Sequence, residues 1–134
     1  MGPRILIKAD SRFSVNRKKV RELLALILKD NNIETEVEVS ILVVGDRKMK
    51  SLNKEYFKKT TTTSVLSFPL ESISGGSGLG FADSPDEILR LGDIVISYPQ
   101  ALKRAVGRNI LVDEEIEELI RHGMKHLLGA NVLS

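Results

Sequence analysis

The sequence has no cysteine and no tryptophan, and only two tyrosines and four phenylalanines in 134 residues. Without cysteine there is no disulfide and no thiolate metal site. With so few aromatics the core must be aliphatic, and few rings are available to stack on nucleobases. No apolar run approaches the ~20 residues of a membrane span. The first residues show no basic, apolar and small-residue signal pattern, so the expected address is cytoplasmic, with no membrane partner. Net charge is only +2, too little to argue for nucleic acid by itself. Apolar content of 42% and charged content of 28% are those of an ordinary globular protein. The length suits one domain over residues 1–134.

The elements read as follows. Arg4 to Lys8 is a short apolar run, a strand. Asn16 is an N-cap, and Val20, Leu23, Leu24, Ile27 and Leu28 lie at helical spacing until Asn31-Asn32. Arg17, Lys18, Lys19 and Arg21 crowd the first turns, the wrong end for the helix dipole. From Glu36 to Val44 the pattern alternates, with Val37, Val39, Ile41 and Val43 on one face and Leu42 and Val44 closing the other. Asp46 is then expected to cap a second helix that buries Met49, Leu52 and Tyr56.

Lys50, Lys54 and Lys58 make a stripe on another side of that helix. Residues 46–59 carry six Lys or Arg against two acids. Such a stripe, with Lys59, suits RNA phosphates, although exposed helices commonly carry solvated lysines. Thr60 to Thr63 is a loop, and Val65 to Pro69 is a strand that its proline ends or confines to an edge. Glu71 to Glu87 is rich in Gly, Ser and acids. It lacks the Lys and Ser/Thr ending of a phosphate-cradling loop and reads as a flexible surface excursion. Leu91 to Ser97 is apolar on both faces, a central strand. Pro99 opens a short helix with Ala101, Leu102 and Ala105 that stops near Gly107.

The last helix starts near Asp113, with acids on its first turns. Ile116, Leu119, Ile120, Gly123 and Leu127 form its buried face, and Gly129 is expected to end it. Gly123 costs roughly 1 kcal/mol of helix stability; close packing against a strand is a plausible return. His122 and His126, the only two histidines, stand four residues apart beside the buried face. Imidazoles at i and i+4 can grip one metal ion, usually Zn²⁺. Equally, two helical histidines at this spacing are commonly ordinary surface or core residues. A metalloprotease reading fails, because Gly123 stands where the HExxH motif has its glutamate. Glu118, Glu115 and the α-carboxylate of Ser134 are candidate third ligands, none compellingly placed.

Three segments, in order, carry a resemblance: Thr63-Ser64-Val65-Leu66-Ser67-Phe68-Pro69, Leu91-Gly92-Asp93-Ile94-Val95-Ile96-Ser97 and His122-Gly123-Met124-Lys125-His126-Leu127-Leu128-Gly129. With Leu52-Asn53-Lys54-Glu55-Tyr56 before them, they resemble the YbeY family of bacterial rRNA maturation factors. The resemblance runs from about Val37 to Gly129. It implies a single α+β domain, a mixed four-stranded sheet flanked by helices, with the two-histidine helix near the C-terminus. It also implies a cytoplasmic, metal-dependent hydrolase: an endoribonuclease that cuts single-stranded or ribosomal RNA and works with the ribosome or a ribosomal protein. The metal would be zinc on His122 and His126.

The departures are specific. After the glycine the family continues Tyr-Asp-His, whose histidine is the third ligand; here those positions are Ala130, Asn131 and Val132. The family's arginine after the tyrosine is Phe57. Its Pro-Thr-Asp (or Asn) is Thr62, Thr63 and Ser64. Zinc is therefore expected to bind weakly, or only with help from RNA phosphate or a solute. The alternative is a catalytically impaired relative that binds RNA or a ribosomal protein without cleaving.

Overall fold

In the computed structural model, residues 3–70 and 88–131 are described. The elements are β1 (Arg4–Ala9), α1 (Arg17–Asp30), β2 (Val37–Val44), α2 (Asp46–Phe57), β3 (Val65–Pro69), β4 (Leu89–Ser97), α3 (Tyr98–Arg108) and α4 (Val112–Asn131). The sheet order is β1-β2-β4-β3. β1, β2 and β4 run parallel, and β3 is antiparallel to β4. This is the expected mixed four-stranded α+β arrangement. The Glu71–Glu87 excursion lies outside the described residues.

Alternation in β2 divides the core. Val37, Val39, Ile41 and Val43 pack with Val20, Leu24 and Leu28 of α1 and Ile116, Ile120 and Leu127 of α4. On the other face Leu42 and Val44 join Met49 and Leu52 of α2, Leu66 and Phe68 of β3, and Val95 of β4. Each fully buried aliphatic side chain contributes about 1.5–3 kcal/mol, so the two layers hold the sheet from both sides.

α1 starts where Asn16 accepts a hydrogen bond from the Lys19 amide at 3.1 Å. It ends where Asn31 Nδ2 donates to the Ile27 carbonyl at 2.8 Å. The basic residues at its start have a structural use. Arg17 Nη1 donates to the Ile7 carbonyl at 2.6 Å and Arg21 Nη1 to the Ile5 carbonyl at 2.7 Å. β1 is an edge strand, and these contacts occupy two of its carbonyls that another strand would otherwise seek.

Two glycines are fixed by geometry. Gly92 has φ +137°, and a Cβ there would sit 2.2 Å from the Phe68 carbonyl oxygen. It follows the register shift in β4 opposite Glu38 and Val39, so the bulge and β3 press against the same point. A Cβ on Gly123 would lie 2.9 Å from Ile94 Cδ1, the close helix–strand approach its place on the buried face predicts.

Three local expectations need correction. Gly45, not Asp46, is the N-cap of α2, and the Asp46 carboxylate turns instead to distant partners. Tyr56 is half exposed rather than buried, with its edge on the Phe68 ring at 5.1 Å. The third helix does stop near Gly107, ending at Arg108 with Asn109 closing it in the left-handed region. The last helix does not stop at Gly129 but continues to Asn131, because glycine permits a C-cap without imposing one.

Candidate active site and nucleic-acid interface

The site begins with the loop between α2 and β3. Asn53, buried on α2, donates from Nδ2 to the Thr61 carbonyl at 2.8 Å, and its own carbonyl accepts from the Lys59 amide at 3.2 Å. Asp46 holds the other part of the loop. Its Oδ1 accepts from Thr62 Oγ1 at 3.0 Å and from Ser97 Oγ at 2.8 Å, and its Oδ2 accepts from Gln100 Nε2 at 3.1 Å. Burial alone would raise the Asp46 pKa; the hydrogen bonds from Ser97, Gln100 and Thr62 outweigh it and leave the carboxyl below its ordinary value. One carboxylate thus ties the start of α2 and the loop to the junction of β4 and α3. The Ser97 amide adds a bond to the Ser64 carbonyl at 3.0 Å.

The pinned loop forms one wall of a groove of about 610 Å³. Thr63, Ser64 and Val65 line that wall; Arg104 of α3 and Glu115, Glu118, Arg121 and His122 of α4 line the rest. Glu115 is 0% exposed. Its Oε2 accepts from Arg104 Nε at 2.8 Å and its Oε1 from Arg108 Nη1 at 2.7 Å. Arg108 also bonds Glu118, which lowers the Glu118 carboxyl and raises the Arg108 guanidinium from their ordinary pKa values. The acids at the start of α4 are therefore more than dipole partners. Glu114 Oε1 accepts from the Leu111 amide at 3.0 Å, and Glu115 and Glu118 carry the link to α3.

His122 and His126 are both exposed beside the buried face of α4, and His122 stands in the groove while His126 is not part of its lining. Zinc sites that hydrolyse use three protein ligands and a water. Among the described residues no group of three His, Asp, Glu or Cys side chains is placed to hold a metal. Glu115 and Glu118 are engaged by arginines instead, and Val132 and Ser134 lie outside the described residues. The described residues thus do not assemble the three ligands of a hydrolytic zinc site.

The lysine stripe divides. Lys50 and Lys54 line a shallower groove of about 400 Å³ with Arg47, Ser51 and Thr60. Lys58 leaves the helix in the left-handed region, φ 56°, so it and Lys59 are exposed beyond the stripe. Phe57 lies tilted on the Phe68 ring at 5.6 Å, so this position serves packing in the place where an arginine is expected. Sequence reasoning missed Arg104, Arg108 and Arg121. The available signal was the i, i+4 pair Arg104 and Arg108 facing the i, i+3, i+7 series Glu115, Glu118 and His122 across a short turn.

The chain matches the family model described as Endoribonuclease YbeY over residues 7–131. It is 35% identical to an Aquifex aeolicus protein named Endoribonuclease YbeY, over 94% of this chain and 75% of that one. A protein of the same name from Anaeromyxobacter is 40% identical over 70% of this chain, and the match spans 43% of that relative's length. Its architecture is similar to a solution structure from Thermotoga maritima, with a TM-score of 0.61 at 25% identity, covering 93% of this chain and 72% of that one. No helix among the described residues is long and apolar enough to cross a membrane.

Proposed function

The chain belongs to the endoribonuclease YbeY family, and from that membership we propose that it is a hydrolase that cuts single-stranded RNA in rRNA maturation. The observation that carries the reading is the placement of His122. It shares a groove with the hydroxyls of Thr63 and Ser64 and with two arginines. Hydroxyl and guanidinium donors suit phosphate oxygens.

Lys50, Lys54, Lys58 and Lys59, with Arg47, are assigned to the RNA backbone on the far side of the Thr60–Ser64 loop. Contacts of this kind give affinity without base reading, and log K falls with log salt by about 0.7 per phosphate on single strands. Scarce aromatics fit the same reading: little stacking, hence weak sequence preference. His122 and His126 are assigned to zinc, held weakly because Val132 stands where the family has its third histidine. When bound, such an ion supplies an activated water for hydrolysis. A cytoplasmic protein meeting the ribosome or a ribosomal protein completes the reading.

The test is zinc content together with cleavage of an end-labelled single-stranded RNA. The parent is expected to lose its zinc on extensive dialysis and to cut the RNA when zinc is restored, with His126→Ala leaving it uncut. Stoichiometric zinc surviving dialysis would refute weak binding. RNA bound but left whole by the zinc-supplied parent would replace the nuclease with a family member that only binds.

A further inference from the structure

The groove holds more guanidinium than its own carboxylates engage. Arg108 Nη1 serves Glu115 and Glu118. Arg104 commits only its Nε, to Glu115, and its side chain remains 53% exposed. Its two Nη amines have no hydrogen-bond partner among the described residues. Arg121, next to His122, has no hydrogen bond or ion pair among the described residues, and its charge only adds to the lowering of the nearby Glu118 carboxyl. Glu115 is wholly buried beneath Arg104, so it fixes one edge of that guanidinium and leaves the other edge to the groove. A fork held this way loses little side-chain entropy on taking a ligand, and its geometry matches two oxygens of a phosphate.

We propose that Arg104 and Arg121 form a phosphate clamp beside His122, with Glu115 as the positioning residue that sets Arg104. The ligand is a backbone phosphate of single-stranded RNA, so the inference rests on the nuclease reading and assigns its substrate contacts. Thr63 and Ser64 offer hydroxyl donors from the facing wall. The clamp is distinct from the lysine groove on α2, where among the described residues no carboxylate pairs with Arg47, Lys50 or Lys54.

The experiment is fluorescence anisotropy of a short labelled single-stranded RNA with the full chain, in chelator so that nothing is cut, over a series of salt concentrations. Arg121→Ala is expected to weaken binding about tenfold and to reduce the salt slope by about 0.7. Arg104→Lys keeps the charge but cannot keep both the Glu115 bond and the outward fork, so it too weakens binding severalfold. Glu115→Gln separates positioning from charge. Removing a negative charge should tighten RNA binding if charge alone matters, whereas the clamp requires weaker binding. Thermal melts of each variant confirm that it is folded, and Arg121→Ala, an exposed change, carries the test if Glu115→Gln does not fold. Lys29→Ala, on the last turn of α1, should bind as the parent does. Parent-like binding by Arg121→Ala and Arg104→Lys beside weakened binding by Lys54→Ala would overturn the clamp and leave the RNA reading standing. No RNA binding by the parent would overturn both.

Discussion

The two basic surfaces on either side of the Thr60–Ser64 loop are built in opposite ways. On the α4 side Arg104 and Arg108 rest on carboxylates, one of them buried, and the wall facing them is pinned by Asp46 and Asn53. On the α2 side Arg47, Lys50 and Lys54 share a shallow groove and have no carboxylate partner among the described residues. The first arrangement fixes where an anion sits; the second raises its local concentration without fixing its position. A strand-cutting protein needs both, since electrostatic attraction brings RNA in and an ordered groove decides which bond is presented.

The largest effect that would break this contrast is Gly92→Ala. With φ +137° and the Phe68 carbonyl in the way, the change should cost about 3 kcal/mol or more. It would loosen β3, and with it the wall that Thr63 and Ser64 form. Urea denaturation measures the cost. Asp46→Ala comes next, at about 1–3 kcal/mol, because the buried Ser97 hydroxyl loses its acceptor. It should disorder the groove wall while α2 keeps its lysines, which amide exchange across residues 60–64 reports.

The same carboxylate gives a pH signature. A pKa held below the unfolded value contributes stability that is present above that value, near 4, and is lost as pH falls through the folded value. Denaturation midpoints between about pH 5 and 3 should therefore fall less steeply in Asp46→Asn than in the parent. Lys50→Ala with Lys54→Ala should weaken RNA binding severalfold and cut the salt slope by about 0.7 for each phosphate left without its lysine. An unchanged slope would remove α2 from the interface. The smallest effect is Lys58→Gly, which relieves a left-handed lysine and should stabilise by up to about 1 kcal/mol in thermal melts.

Legibility in the sequence follows how local each feature is. The sheet strands, the Asn16 cap and the close approach at Gly123 rest on periodicity or on one residue's conformational cost, and each is readable. The Asp46 clasp is not, since it joins residues 51 and 54 positions away in sequence. A side chain at the first turn of a helix reads locally as a cap; only the fold shows that Ser97 and Gln100 reach it. Glu115 and Glu118 likewise read as dipole partners or possible ligands, because nothing in a helix sequence tells which face meets α3. His122 and His126 stand out in the sequence by their spacing, yet the arginines around His122 do not, since they come from two helices.

The most direct measurement is the cleavage rate of a labelled single-stranded RNA, zinc-supplied and at saturating RNA, by the parent and by His122→Ala. The account predicts that the parent cuts and that His122→Ala binds the RNA but leaves it whole. Equal cutting by both would place the chemistry outside this groove and contradict the account.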